Sequence, residues 1–534
     1  MNKFAKLLGY DPVEKQTNLK TEIIAGIVTF LAMAYILTVN PNQVVGSGNV
    51  YWTSVFMATA FGAIIGTLLM AMFAKMPLAQ ASGMGLNSMA GGLIAGTSFF
   101  NAQGKGINFT VGQVFMLVLI SGILFLLLSL VKIKGKTFRE LVFDGMPVAV
   151  RSAISVGIGL FIAYIGFQNA GIIVTNGFTQ VSLVDFTNWG EQTINNGLWV
   201  PATAPEELAP VVDTLGINLG FINIASTAGF AAKSAIVAIV GLFLIAILDK
   251  LNVKGSVILG ILGATIVGIP LGVTNTAVLS NGESWMFWKN YANFFAGGAD
   301  ESVFGSFTTV FKDGLVPDGV SIFSIIMLII TFCMIDMFDT MGTIVGCCGG
   351  NRILSDENDK PYNYGKIMMS DSIATCTGAM LGTSTVTTFV ESGTGVSAGG
   401  RTGLTSFTTA CMFLLATLIV PVFQVIPGAA TASALIYVGV LMMKHNIKSV
   451  DFSNSVNAVS AFLTIVIMVL SYSITKGIGV GLISYTVMSI VAYLVELIIA
   501  SVKKTDKPAW NVSIVAIVVS VLFLIYFFVP ATLF

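Results

Sequence analysis

Two polar, glycine-rich stretches interrupt an otherwise apolar chain: Ala81-Ser-Gly-Met-Gly-Leu-Asn87 and Thr383-Ser-Thr-Val-Thr-Thr-Phe-Val-Glu391-Ser-Gly-Thr-Gly. They lie near corresponding points of its two halves. Unpaired backbone groups are costly in lipid, so a helix is broken at membrane depth only where the break lines a cavity or is buried in protein. A matched pair of such breaks is the best sequence indication of the substrate site of a secondary transporter.

The composition is that of a polytopic membrane protein. Of 534 residues, 55% are hydrophobic and 10% are charged, whereas about a quarter of the residues of a soluble protein are charged. The 26 basic and 26 acidic residues cancel, so no net field attracts nucleic acid. The five cysteines show no metal-ligand spacing, and the single histidine, His445, lies apart from the acidic residues of the apolar segments. We therefore expect no metal, no cofactor and no enzymatic centre.

Apolar runs long enough to cross a bilayer recur along the whole chain. With the two interrupted segments they predict about 14 spans, and a further run over 509–530 is long enough for one more. Short recurrences link the halves: Thr29-Phe30 returns as Thr331-Phe332, and Ile154-Ser-Val-Gly-Ile returns as Ile436-Tyr-Val-Gly-Val. They favour two units of about seven spans, and an odd number forces the second unit to insert upside down. The sequence thus predicts an all-α membrane protein built from inverted repeats.

The orientation follows from the basic residues, which concentrate in cytoplasmic loops. A cytoplasmic N-terminus over residues 1–21 places nearly all basic clusters inside, including Lys503 to Lys507. The segment 172–230 contains acidic residues and neither Lys nor Arg, so it is predicted to be extracellular. If 509–530 spans the membrane, the C-terminus lies outside the cell.

Ionisable side chains within spans are costly and indicate function by default. Asp336 and Asp339 lie three residues apart in Thr331-Phe-Cys-Met-Ile-Asp336-Met-Phe-Asp339-Thr-Met-Gly-Thr343, which places both on one face of a helix. This pattern predicts that at least one of them handles a substrate or a proton. A structural hydrogen-bonded pair and a cation site are the alternatives.

Polar residues also mark the two interruptions. Glu391 follows an extended Thr-rich stretch and precedes a Gly-rich run, so we expect it near the positive N-terminus of a half-helix, with a simple helix cap as the alternative. Asn87 holds the comparable place in the first repeat, as a site residue or a packing residue. Asp371 lies near the start of a span. It is expected to be either a charge at the membrane boundary or a member of a polar network. Asn40 precedes Pro41 at a span end and is expected to lie away from the site.

Several strings in this sequence carry a family resemblance. They are Asn18-Leu-Lys-Thr-Glu-Ile-Ile-Ala-Gly, Gly83-Met-Gly-Leu-Asn87, Asp336-Met-Phe-Asp339-Thr-Met-Gly-Thr343 and Gly382-Thr-Ser-Thr-Val-Thr-Thr-Phe-Val-Glu391-Ser, running into Gly399-Gly-Arg-Thr-Gly403. The chain resembles the AzgA-like purine permeases of the nucleobase:cation symporter-2 superfamily over nearly its whole length. Ser82 departs from the pattern, since that family usually has proline there, and so does Ser88-Met89, where small or aromatic residues are common.

The resemblance implies a fold of seven plus seven inverted repeats with two domains. The core domain would comprise 22–132 and 320–426, and the gate domain 147–273 and 428–501. It also implies proton-coupled uptake of guanine, hypoxanthine or adenine across the plasma membrane. The expected partners are therefore a purine base, a proton and the lipid bilayer, with no nucleic acid; a homodimer is left open.

By the same match, specific residues receive roles. Asp336 and Glu391 would hold the purine, Asn87 would shape the site, and Asp339 would join the two other carboxylates in proton coupling. Phe332 and Phe389 are candidates for stacking on the base. Two other functions stay open: a xanthine or urate permease of the same fold, and a passive channel, against which stand the acidic site and the lack of a basic pore ring.

Overall fold

The computed structural model describes most of the chain. The described residues are 3–46, 49–96, 106–133, 136–137, 145–176, 180–184, 186, 192–195, 198–201, 231–253, 255–280, 285–296, 302, 310–348, 352–355, 361–450, 452, 454–503, 506, 509–510 and 512–528. The predicted extracellular segment 172–230 falls mostly outside them.

The first half of the chain is helical with several very short strands. Its elements are α1 (Lys3–Leu7), α2 (Leu19–Met33), α3 (Ile36–Val44), α4 (Trp52–Leu69), β1 (Gln80–Ser82), α5 (Met84–Ile94), α6 (Val111–Leu130), β2 (Lys132–Ile133), β3 (Lys136–Thr137), α7 (Val148–Asn169), β4 (Ile173–Asn176), β5 (Gln180–Leu183), β6 (Gln192–Asn195), β7 (Leu198–Pro201), α8 (Ala231–Lys250) and α9 (Ser256–Gly268). A π-helical turn, Met70–Ala74, extends α4.

The second half repeats this character. Its elements are α10 (Ala277–Ser280), α11 (Phe287–Ala296), α12 (Val310–Asp313), α13 (Ile322–Cys348), α14 (Tyr364–Leu381), β8 (Val386–Thr388), α15 (Ser392–Ser397), α16 (Gly403–Ala416), α17 (Val420–Gln424), α18 (Gly428–Asn446), α19 (Ser455–Leu470), α20 (Ile474–Lys503) and α21 (Ile514–Phe528). Within the described residues, six helices are long and apolar enough to cross a membrane, and six further apolar helices are shorter.

Polar side chains begin several helices by accepting otherwise unpaired backbone N–H groups. Asn18 accepts from Thr21 at the start of α2. Thr110 and Gln113 form a reciprocal capping box at the start of α6, and the Thr402 hydroxyl caps α16. The starts of these helices are thus specified by residues close to them in the sequence.

Both predicted interruptions are breaks in the helical structure. Each consists of a three-residue strand, β1 or β8, followed by a half-helix, α5 or α15. The two strands pair with each other and run antiparallel, with Ala81 opposite Thr387. The pairing is extended by backbone hydrogen bonds from Gly83 to Thr385 and from Phe389 to Ala79. Antiparallel pairing of equivalent segments is what an inverted repeat produces, and it satisfies backbone groups that the broken helices leave open.

The longer helices pack in two groups. In what we term the core group, α2 and α4 pack on α16, and α4 and α6 pack on α14; the half-helices α5 and α15 belong to it. In the gate group, α7 packs on α18 and α19, α19 on α20, and α8 on α9 and α18. Gly159 of α7 and Gly439 of α18 face each other's backbones, so the helices that carry the second sequence recurrence cross at close range.

The apolar run near the C-terminus forms α21, which packs on α20. The Thr486 and Ser520 hydroxyls lie 2.8 Å apart across this contact, and Gly479 of α20 faces the Phe523 ring. Among the described helices, α21 thus follows the last helix of the gate group and packs on it. Its crossing of the membrane stays a prediction.

Candidate functional site

The paired strands β1 and β8 place the ends of both half-helices within a small volume. Each strand has three residues, which corresponds to a length of about 10 Å. Because the strands run antiparallel, α5 and α15 begin at opposite ends of the pair. The first N–H groups of a helix have no partner within it and make that end positive. The region around the two strands therefore favours acidic and acceptor groups.

Glu391 immediately precedes α15, near the half-helix N-terminus as predicted. Its side chain does not cap the helix. Instead, Oε1 accepts a 2.5 Å hydrogen bond from the hydroxyl of Tyr35, at the junction of α2 and α3. Oε2 is buried and has no hydrogen-bond partner among the described residues. A buried acceptor without a partner is costly, so this oxygen is suited to accept an N–H group from a ligand.

Asn87 lies in the first turn of α5 and is fully buried. Its Oδ1 accepts hydrogen bonds from the hydroxyls of Ser82, at 2.7 Å, and Ser384. These serines come from the two different breaks and also lie 2.9 Å from each other. The amide Nδ2 has no partner within the described structure. With Oδ1 held, Asn87 presents a donor close to the paired strands.

Asp336 and Asp339 of α13 have different surroundings. Asp336 is buried, and its Oδ2 accepts a 2.8 Å hydrogen bond from Thr375 of α14. The same hydroxyl lies 3.2 Å from the Val386 carbonyl of β8. Asp339, one turn later, is half-buried and interacts electrostatically with Glu391. The structure thus brings Asp336 to the strand β8, and Asp339 lies near enough to Glu391 for their charges to interact.

Asp371 is a fully buried member of a polar network, which excludes its reading as a boundary charge. Its Oδ1 accepts from the Gln80 amide of β1 at 2.9 Å, and its Oδ2 accepts from the Thr340 hydroxyl of α13 at 2.8 Å. Thr340 in turn lies 2.5 Å from the Thr387 hydroxyl of β8. Asp371 therefore ties both strands and α13 to α14.

The two candidate stacking residues are both buried. Phe389 follows β8 and Phe332 lies one turn before Asp336; they are 4% and 0% exposed, and both pack in the main apolar core. Phe389 is fixed by its backbone, because its N–H donates to Ala79 and its carbonyl accepts from Ser392. Phe389 thus lies at the strand end, two residues from Glu391, while Phe332 lies on α13, four residues from Asp336.

Several polar residues of the site were missed or misplaced by sequence reasoning, among them Tyr35 and Asn40. Tyr35 is buried and bonded to Glu391, yet a lone tyrosine in an apolar run carries no motif. The expectation that Asn40 lies away from the site is wrong. Asn40 is fully buried inside α3, and its amide donates to the hydroxyls of Thr59 and Thr383. Pro41 lies inside α3 and does not end the span.

Within the described residues, no group of three His, Cys, Asp or Glu side chains is arranged to hold a metal ion. The site contains carboxylates, amides, hydroxyls and aromatic rings. Such groups bind and orient a polar ligand.

Comparison with known families matches residues 20–192 and 215–480 to the permease family designated Xan_ur_permease. The chain belongs to this family. Its curated relatives include the adenine permease AdeP of Escherichia coli, which is 33% identical over 89% of this chain and 88% of its own length. The guanine/hypoxanthine permease PbuO of Bacillus subtilis is 31% identical over 89% and 92%, and PbuG of the same organism is 32% identical over 89% and 91%. These relatives are transporters by name, which points away from an enzyme.

Solved structures show the same fold. The transmembrane domain of the cyanobacterial bicarbonate transporter BicA matches 87% of this chain and 97% of its own, with a TM-score of 0.55 at 15% identity. The SLC26A9 structure matches 93% of this chain and 70% of its own, with a TM-score of 0.54 at 10% identity. The predicted helical membrane fold of inverted repeats is therefore confirmed, while the count of 14 spans stays a prediction.

Proposed function

We propose that this permease is a secondary active carrier that takes up purine nucleobases together with a proton across the plasma membrane. The observation that carries the proposal is a buried donor and a buried acceptor beside the paired strands, Asn87 Nδ2 and Glu391 Oε2, neither of which has a hydrogen-bond partner among the described residues. The family membership and the purine specificities of AdeP, PbuO and PbuG support it.

The chemistry of a purine matches these two groups. The base is planar and neutral, and its edge carries N–H donors and ring or carbonyl acceptors. A carboxylate binds such donors by short charge-assisted hydrogen bonds, and an amide N–H serves the neighbouring acceptor. We assign Glu391 and Asn87 to the base edge, with Tyr35 orienting the carboxylate. Phe389, at the end of β8, is the better placed of the two phenylalanines to contact the ring face.

The proton is proposed to reside on the acidic cluster. Asp339 and Glu391 interact electrostatically, and neighbouring acids titrate as a coupled set. Asp336, held by Thr375 against β8, would sense the position of that strand and complete the set. Movement of the core group, 22–132 and 320–426, against the gate group, 147–273 and 428–501, would then expose the site to either side of the membrane.

The test is uptake of radiolabelled adenine, guanine, hypoxanthine, xanthine and urate by cells that lack their own purine permeases. We expect saturable accumulation of at least one of the first three, abolished by a protonophore. Glu391→Gln and Asp336→Asn should abolish accumulation, and at least one of them should still bind the base in a purified sample. Asp339→Asn should affect binding less. Glu496→Gln is the matched control, because Glu496 is an exposed carboxylate on α20.

Each part of the proposal has its own contrary result. Transport of xanthine or urate alone would overturn the assigned substrate class. A non-saturable flux of the base that the protonophore does not change would favour a channel. Normal pH-driven accumulation by either Glu391→Gln or Asp336→Asn would move the proton site elsewhere.

A further inference from the structure

The first span, α2 followed by α3, contacts the second half-helix at both ends. At the start of α15, the Tyr35 hydroxyl donates a hydrogen bond to Glu391, the residue that precedes the helix. After α15 ends, the Glu22 carboxylate accepts hydrogen bonds from the turn that leads into α16. One span therefore joins the proposed substrate site to a buried charge near the end of the same broken segment.

Glu22 is fully buried, and its carboxylate accepts four hydrogen bonds. They come from the backbone N–H groups of Arg401, Thr402 and Thr405, at 2.9, 3.3 and 3.2 Å, and from the Thr405 hydroxyl at 2.6 Å. The start of α16 supplies unpaired donors and a positive helix end, which together stabilise the carboxylate. The Arg401 guanidinium turns back to the Val396 carbonyl at 2.6 Å, which closes the end of α15.

The half-helix α15 has only six residues, too few for its own hydrogen bonds to fix its position. It packs mainly on α2 and also contacts α13, so the neighbouring helices fix its position. Gly395 approaches α2 so closely that a Cβ there would overlap the Thr29 hydroxyl, and a Cβ on Gly26 would lie 2.5 Å from the Thr405 carbonyl. Only short side chains, Thr29 on Gly395 and Thr408 on Gly26, fill the space at these glycines. The directional hydrogen bonds of Glu22 therefore add to the register along this tight interface.

We propose that Glu22 is a positioning residue of the carrier. By holding the turn from Arg401 to Thr405, it fixes the register of α15 against α2 and thereby the place of Glu391 beside Tyr35. Glutamine at position 22 has one acceptor oxygen and an NH2 group that opposes the turn's N–H donors, so the turn would move. The inference rests on the proposed purine site at Glu391, and its test therefore includes a measurement that needs no substrate.

The first measurement is a double-mutant cycle on purified protein, with the Kd of the transported purine as readout. Glu22→Gln and Tyr35→Phe should each raise Kd about tenfold, the scale of one hydrogen bond to a charged group. Because both changes act through the position of Glu391, the Kd of the double variant should be only about tenfold above that of the wild type, whereas independent effects would raise it about a hundredfold. Gln113→Ala is the matched control: Gln113 is a buried side chain that caps its own helix, α6.

The second measurement uses Cys347, whose thiol lies 3.4 Å from the Val390 carbonyl and packs on Gly393 of α15. With Cys333, Cys348, Cys376 and Cys411 replaced by alanine, we expect Glu22→Gln to raise the rate of Cys347 modification by a small thiol reagent about tenfold, since access limits thiol reactivity. Gln113→Ala should leave this rate unchanged.

The outcomes separate the inference from the proposed function. Additive losses in the cycle, or a Cys347 rate unchanged by Glu22→Gln, would overturn the positioning role. If wild-type protein binds no purine, the proposed function fails while the Cys347 rates still decide the inference. If Glu22→Gln does not fold, Glu22→Asp takes its place: it keeps the charge but shortens the reach, and it should raise both Kd and the Cys347 rate.

Discussion

At the scale of single residues, the site depends on which polar atoms are already bonded within the protein. Asn87 and Glu391 each have one atom held by the protein and one atom without a partner in the part of the chain that the structure describes. Such an arrangement costs stability in the empty site and is recovered when a ligand supplies the missing partners. The serines that hold Asn87 belong to different breaks, so the orientation of one amide depends on the correct pairing of both.

Removing one of these hydroxyls should therefore weaken binding without unfolding the protein. We expect Ser384→Ala to raise the KM for the purine about three- to tenfold, since one hydrogen bond that orients Asn87 is lost. Ser121→Ala is the control, because the buried Ser121 hydroxyl bonds only the Val118 carbonyl of its own helix among the described contacts. Uptake kinetics at equal surface expression give the comparison. An equal KM in the two variants would contradict the role of Ser384.

Whether a site residue can be predicted from the sequence depends on how far along the chain its partners lie. Glu391 and Asn87 were found because a carboxylate or an amide next to glycines violates the local apolar pattern. Tyr35, Asn40 and Gln80 were not, because their partners lie 356, 343 and 291 residues away. A side chain whose role depends only on such a remote partner leaves no local signal in a single sequence.

At the scale of elements, the paired strands are seated against glycines of two neighbouring helices. The Val386 side chain of β8 lies against Gly62 and Gly66 of α4 and Gly378 of α14. A Cβ on Gly66 would come within 2.8 Å of the Gln80 amide oxygen and 2.9 Å of Val386. Small residues let the strands approach both helices. The sequence predicts the two breaks, but it does not predict this contact surface of Gly62, Gly66 and Gly378, because three distant segments form it together.

Adding a side chain at one of these glycines should displace the strands. We expect Gly66→Ala to lower the stability of the purified protein by about 1–3 kcal/mol, the usual cost of overpacking, and to reduce uptake because β1 and β8 carry the site. Gly365→Ala on α14 is the control, since a Cβ there meets no atom within 4 Å. Thermal unfolding and uptake are measured side by side. A Gly66→Ala protein as stable and as active as Gly365→Ala would show that the strands tolerate movement.

At the scale of the whole molecule, the site lies where the core group meets the gate group. Gly85 in the first turn of α5 faces Ile158 of α7 and Ile474 of α20: a Cβ there would lie 3.5 and 3.3 Å from their side chains. Gly85 is two residues from Asn87, so the two groups touch beside the proposed binding residues. Moving one group against the other, as the proposed mechanism requires, would separate this contact and open the site.

A crosslink across this contact should stop transport, whereas a crosslink inside one group should not. With all native cysteines replaced for this pair, and all but Cys376 replaced for the control below, Gly85→Cys with Ile158→Cys places two thiols within reach of a disulfide. We expect a membrane-permeant oxidant to abolish uptake by this pair and a reductant to restore it. The matched control is Gly122→Cys with native Cys376, which joins α6 to α14 within the core group; a Cβ on Gly122 lies 3.0 Å from the Cys376 sulfur. This pair should crosslink and keep transporting. Uptake that survives a complete crosslink between Gly85→Cys and Ile158→Cys would show that α5 and α7 move together, and the boundary between the moving bodies would then lie elsewhere.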